Sequence, residues 1–190
     1  MESRNIMIVG VGGQGTLLAS KLLGRILLEN GYDVKVSEVH GMSQRGGSVV
    51  TYVRYGEKVY SPIIDKGEAD IIISFELLEA ARWVEYLKEG GILLTNTQRI
   101  NPMPVITGAA EYPKSLEQKL AALPIRLDAM DALGLALQAG SAKAVNLVLL
   151  GRLSKYFHFT DAQWQDAICS SVPAKFLELN RKAFALGAEA

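Results

Sequence analysis

Two short stretches of this chain hold residue types that chemistry needs, and both are rich in glycine. The first is GVGGQG, Gly10 to Gly15, which follows the apolar run Ile6 to Val9 and opens directly into the leucine-rich segment Thr16 to Glu29. Strand, glycine turn and helix are thus packed together. Glycines let backbone N–H groups turn toward a ligand with no Cβ in the way, and a helix that begins behind them presents the positive end of its dipole to an anion. Gly10, Gly12 and Gly15 satisfy GxGxxG, with Gly13 and Gln14 completing the loop. Glu38, at the end of the next expected strand, stands where a dinucleotide fold places its ribose-binding acid. The competing reading is that these glycines only make a tight turn and let helix and sheet pack closely.

The second stretch is His40-Gly41-Met42-Ser43-Gln44-Arg45-Gly46-Gly47. Arg45, between Gln44 and the pair Gly46-Gly47, is its best anion anchor. A guanidinium offers a planar fork for phosphate or carboxylate, and the glycines bring backbone N–H groups close. A surface arginine fixing its own loop is the alternative. His40 can carry protons near neutral pH, but the sequence sets no carboxylate or nucleophile beside it, and an ordinary loop histidine fits equally well. Glu76, after a later strand, reads as a first-turn acid stabilising a helix N-terminus. No metal-ligand spacing, GxSxG elbow, P-loop or Cys-His pair occurs, so independent hydrolysis or phosphoryl transfer finds no support.

Composition bounds the partners. With 190 residues, 49% hydrophobic and 21% charged, the chain reads as one domain, residues 1–190, around one substantial core. Its 20 basic and 20 acidic residues balance without long runs of either sign, so neither nucleic acid nor a membrane surface is an expected partner. The N-terminus lacks the pattern of a secretory signal, no later segment holds eighteen apolar residues in a row, and a cytoplasmic location is expected. Cys169 is the only cysteine, which excludes an internal disulfide and a cysteine-ligated cluster held by this chain alone.

The elements that must position these stretches alternate. After the first strand and helix, Asn30-Gly31 supplies a C-terminal stop and Tyr32 to Val39 alternates as a second strand. Ser48 to Tyr55 and Lys58 to Tyr60 flank Gly56-Glu57 and predict a β-hairpin. Ala69 to Ser74 is a third core strand, Glu76 to Leu87 a helix, and Ile92 to Thr95 a fourth strand behind Gly90-Gly91. Asn96 to Pro113 reads as irregular, with one short strand near Val105. Leu116 to Ala122 suits a short helix and Pro124 to Asp128 a fifth strand. From about residue 129 the chain is helical. Ala142 to Leu153 is apolar almost all round with Asn146 as a core amide. Thr160 to Gln163 forms a capping box stapled by Phe159 and Trp164, Pro173 opens a last helix, and Gly187 is expected to stop it. The fold class is therefore α/β: a three-layer, Rossmann-like domain with a mainly parallel sheet, an inserted β-hairpin and a helical C-terminal part. Ligands of such sheets bind outside the carboxyl ends of strands. Gly10 to Gly15, Ser37 to Gly47, Ser74 to Glu76 and Thr95 to Gln98 would all converge there.

Four ordered motifs carry a resemblance. GVGGQGTLLASKLLG (10–24), SEVHGMSQRGGSVVTYVRYG (37–56), GEADIIISFELLEAARW (67–83) and the Asn146-centred AVNLVLLG together resemble the gamma-type subunits of 2-oxoacid:ferredoxin oxidoreductases. The likeness is nearest to the small (beta) subunits of the indolepyruvate type. It covers nearly the whole chain and thins between Asn101 and Arg126. It implies a complex that oxidatively decarboxylates aryl 2-oxoacids to acyl-CoA with ferredoxin as electron acceptor. Thiamine diphosphate and iron–sulfur clusters would belong to the large partner subunit, and this chain alone would be inactive. Its expected contribution is to complete the assembly and the coenzyme A site, with Gly10, Gly12, Gly13, Gln14, Gly15, His40, Gln44, Arg45, Gly46 and Gly47 on the CoA phosphates or at the interface. Two other readings stay open: an NAD- or FAD-binding oxidoreductase subunit with Glu38 on the ribose, and a purely structural assembly subunit.

Overall fold

Alternation in the first apolar run decides how the sheet is covered. In β1 (Arg4–Val11), Ile6 and Ile8 pack into one core and Met7 and Val9 into another, and all four are fully buried. Successive strand side chains point to opposite faces, so a strand apolar at every position demands cover on both. The computed structural model, which describes residues 2–38, 43 and 45–190, supplies that cover as helical layers on each side.

The sheet has six strands in the order β2-β3-β1-β4-β5-β6, where β2 is Asp33–Glu38, β3 Ser48–Gly56, β4 Ala69–Ser74, β5 Leu87–Asn96 and β6 Arg126–Met130. β1, β4, β5 and β6 pair in parallel, while β3 is antiparallel to both β1 and β2. One core contains α1 (Thr16–Glu29) and residues of α5 (Ala132–Ala139), α6 (Val145–Ser154), α7 (Asp161–Ser171) and α8 (Leu177–Glu189). On the other face, α2 (Leu77–Trp83) and α4 (Leu116–Ala121) bury Leu77, Ala80, Leu116 and Leu120 against Met7, Val9, Ile72 and Leu93. The three-layer α/β architecture is as the sequence implies.

Several details differ from expectation. The antiparallel strand exists, but Lys58 to Tyr60 does not return beside it. β3 instead inserts between β2 and β1, its Val50 and Val53 buried on opposite faces. A strand apolar on both sides belongs inside a sheet, which a two-stranded hairpin would not provide. No strand forms near Val105; Met103–Ile106 is a single helical turn, α3, begun after Pro102. Gly187 does not end α8. It lies within the helix, where a Cβ would strike the Val148 carbonyl of α6, and Gly151 of α6 faces the Phe184 carbonyl in the same way. These two glycines are close-approach positions where two helices cross. Ser20 and Gly24 of α1 are buried, Ser20 donating to Glu38 and Gly24 facing Val36 of β2, while Leu17 and Leu28 are exposed. The capping box at Thr160 forms, and the Phe159 and Trp164 rings meet at 6.0 Å between centroids.

Candidate functional site at the carboxyl edge of the sheet

Because β1, β4, β5 and β6 run the same way, their carboxyl ends emerge on one edge, and antiparallel β3 begins there with Ser48 opposite Val11. The glycine loop lies at the centre of this edge. Gly15, with φ 92°, heads α1 with no side-chain cap, so first-turn N–H groups of a fourteen-residue helix are left for another acceptor. Gly13, with φ 98°, is exposed, and a Cβ on it would meet nothing within 4 Å. The first glycine stretch is joined to the second: the Gly12 N–H donates to the Gly47 carbonyl at 2.9 Å, and the Gly47 N–H to the Ser43 carbonyl at 2.9 Å. Arg45 and Gly46 are exposed on the turn just before that contact. His40 and Gln44 lie outside the described residues.

Gln14 is folded inward. Its Oε1 accepts the Val11 N–H at 2.8 Å, and its Nε2 donates to the Phe75 carbonyl at 3.0 Å and to Gln98 Oε1 at 3.4 Å. Gly10 makes room for it, since a Cβ there would lie 2.9 Å from Gln14 Oε1 and from Phe75 Cβ. Behind the loop, Asn146 is 3% exposed, and its amide donates to the Gly15 carbonyl at 3.4 Å. The core amide read from sequence is therefore a support for the glycine turn.

Glu76 does more than cap a helix. It is 1% exposed and accepts three hydrogen bonds: from the Glu79 N–H at 2.9 Å, the Ile100 N–H at 3.0 Å and the Tyr112 hydroxyl at 2.6 Å. The first caps α2; the other two hold the long segment after β5 against the edge. Burial, with the Glu76 carboxylate next, pushes the Tyr112 phenol well above its ordinary range. Glu79, 4% exposed, accepts from the Ser48 hydroxyl and from Trp83 Nε1 at 3.3 Å, and Arg82 lies 3.1 Å from its other oxygen.

Two small hollows flank the glycine loop. One, about 180 Å³, is lined by Gly13, Gln14, Gln98, Leu133 and Lys143. The other, about 210 Å³, lies among Gly46, Gly47, Glu76, Glu79, Arg82 and Ile100. A larger hollow, about 830 Å³, lies along the flank of α1 beside Val36 and Glu38, and none of its lining residues belongs to the glycine loop. Glu38 itself accepts a hydrogen bond from Ser20 at 2.7 Å. With β3 between β2 and β1, Glu38 stands two strand spacings from β1, roughly 10 Å, where a dinucleotide fold has one. The geometry therefore gives the ribose-binding reading of Glu38 no support. Sequence reasoning missed Tyr112 and Lys143 as edge residues. Gln98 closed a segment already expected there, whereas Tyr112 and Lys143 come from stretches with no local signal.

Residues 5–190 match the family described as pyruvate ferredoxin/flavodoxin oxidoreductase. The chain belongs to that family. Over its full length it is 46% identical to the indolepyruvate oxidoreductase subunit IorB of Thermococcus kodakarensis, covering 96% of that protein. The gamma subunit of a keto/oxoacid ferredoxin oxidoreductase from Geobacter sulfurreducens shares the fold with a TM-score of 0.73 at 24% identity, over 98% of this chain and 96% of that one. A 2-oxoglutarate:ferredoxin oxidoreductase chain from Magnetococcus marinus, solved with 2-oxoglutarate, coenzyme A and succinyl-CoA bound, contains the fold with a TM-score of 0.76 at 17% identity. The match takes in all of this chain but only 31% of that longer one. The relatives place this protein among the small subunits of 2-oxoacid:ferredoxin oxidoreductases.

The groups such complexes use can be tested against the residues present. Cys169 is exposed and stands alone, and among the described residues no three His, Cys, Asp or Glu side chains are grouped to hold a metal ion. These donors do not fit a cysteine-ligated cluster. A phosphate fits better: the uncapped start of α1, the open Gly13 backbone and Lys143, which lines the same hollow as Gly13, form an edge suited to an anion. Among the described residues no helix is long and apolar enough to cross a membrane.

Proposed function

We propose that this chain is the cofactor-free small subunit of a complex that oxidatively decarboxylates aryl 2-oxoacids of the indolepyruvate type to acyl-CoA, with ferredoxin as electron acceptor. Its carboxyl edge completes the coenzyme A site at the contact with the large subunit. The observation that carries this reading is the direct hydrogen bond from Gly12 to Gly47. It fuses the two glycine stretches, with their open backbone and Arg45, into one anion-facing surface. Thiamine diphosphate and the iron–sulfur clusters, held by the large subunit, supply decarboxylation and electron transfer. The role of this chain is to bind and orient: N–H groups of Gly13, Gly15 and Thr16 and the Arg45 fork hold CoA phosphates, and the buried ties beneath keep them in place.

The test is Arg45. If its guanidinium forks onto a phosphate, Arg45→Lys keeps the charge but loses the bidentate geometry, raising the apparent KM for CoA in the reconstituted complex with little change for the 2-oxoacid. Arg45→Ala goes further in the same direction. Loss that follows the concentration of large subunit instead of CoA would favour a purely structural assembly role. Wild-type behaviour in both titrations would remove Arg45 from the site.

A further inference from the structure

Where a chain leaves one strand for a helix on one face of a sheet and the neighbouring strand for a helix on the other, a crevice opens between their carboxyl ends, and open α/β proteins bind ligands in it. In this chain that crevice lies between β1 and β4. α1 follows β1 onto the face of Ile8, and α2 follows β4 onto the face of Met7 and Val9. It is filled by the protein's own Gln14, whose amide joins the Val11 N–H on the β1 side to the Phe75 carbonyl on the β4 side.

The contact continues across the sheet. Asn96, fully buried at the end of β5, donates to the same Phe75 carbonyl at 3.1 Å and to Gln98 Oε1 at 3.2 Å, and its side-chain Oδ1 accepts the Ala132 N–H beyond β6 at 3.2 Å. A row of side-chain amides thus laces together the chain after β1, β4, β5 and β6, and Gln14 is its link to the glycine loop. Both ends of that amide are engaged internally.

Resting on the coenzyme A reading above, we infer that Gln14 is a positioning residue. It closes the crevice, holds the Gly12 to Gly15 backbone so that the Gly13 and Gly15 N–H groups are left to a ligand, and confines a phosphate-bearing ligand to the outer rim of the loop beside Gly13. Its length matters as much as its polarity. Asparagine, one methylene shorter, cannot reach from Val11 to Phe75 in this position.

The experiment uses the full chain and the reconstituted complex with Gln14→Asn and Gln14→Met, the second matching glutamine in volume. Amide exchange of Val11, whose N–H donates to Gln14 itself, and of Gly12 and residue 14, whose N–H groups donate to Gly47 and Val11, should quicken in the free chain by roughly tenfold in both variants, about the effect of one neutral hydrogen bond, while the urea midpoint moves little. The KM for CoA should rise with kcat nearly kept. Unchanged loop exchange overturns the proposal whatever the kinetics. A clear difference between the variants, with asparagine behaving as wild type, also overturns it, since that outcome marks direct polar contact with the ligand. Faster exchange with an unchanged KM for CoA would uphold Gln14's hold on the loop and sink the coenzyme reading instead.

Discussion

Valine at Gly13 and at Gly15 separates a glycine needed for close approach from one needed for packing. Both positions have positive φ, 98° and 92°, so a branched residue strains the backbone at either by about 1 to 3 kcal/mol. At Gly13 nothing lies within 4 Å of a Cβ, and the strain is the whole effect. At Gly15 the Cβ would sit 2.8 Å from Asn146 Nδ2, and Asn146, 3% exposed, has little room to retreat. Moving it adds about 1 to 3 kcal/mol of overpacking. For a chain of this size each kcal/mol lowers Tm by about 2 to 4 °C. At the middle of these ranges, about 2 kcal/mol at Gly13 and about 4 kcal/mol at Gly15, Gly13→Val should therefore melt about 4 to 8 °C below wild type and Gly15→Val about 8 to 16 °C below. The complex rebuilt with folded Gly13→Val should nonetheless have lost its CoA-dependent activity, because the valine projects from the surface that a ligand or partner must approach. Equal melting losses at the two sites would refute the packing argument. Near-wild-type activity of Gly13→Val would refute close approach.

Other perturbations test the frame around the site. Gly187→Ala should lower stability by roughly 3 kcal/mol, since the new methyl overlaps the Val148 carbonyl and the α6–α8 crossing must spread; an unchanged urea midpoint would contradict this. Glu76→Ala strips the partner from two N–H groups and the Tyr112 hydroxyl, at a cost of about 3 kcal/mol. It should also make the 98–112 segment sensitive to limited proteolysis and bring the Tyr112 titration back down, both measurable on one preparation. Burial and then the hydrogen bond to Asp128 push the Tyr156 phenol up to about 12. A phenol that holds its proton more tightly when folded contributes fully below its ordinary pKa of about 10 and loses that contribution as the pH rises toward 12. Tyr156→Phe should flatten the fall in stability across that window relative to wild type.

What the sequence disclosed depended on whether the signal was local. The first helix was readable to the residue because a glycine turn and Asn30-Gly31 mark its ends, and the Thr160 capping box identifies a helix start by its own chemistry. The insertion of β3 between β2 and β1 was not readable. Gly56-Glu57 is a good local turn signal, whereas the pairing that prevails is set by two apolar faces that need neighbours on both sides. Gly187 misled for a related reason: nothing local distinguishes a glycine that ends a helix from one that lets another helix approach. At the site, the glycine stretches and their convergence were visible, but the inward fold of Gln14 and the reach of Glu76 to Ile100 and Tyr112 join residues far apart in the chain.

The central claim is tested most directly by rebuilding the complex from this chain and the large thiamine diphosphate subunit purified with it from the native source. The account predicts that the free chain is colourless and inactive. CoA-dependent reduction of ferredoxin by indolepyruvate should appear only when both subunits are combined, saturating as this chain is added. A large subunit that reaches the full rate without this chain, or a free chain that shows an iron–sulfur or flavin spectrum of its own, would contradict it.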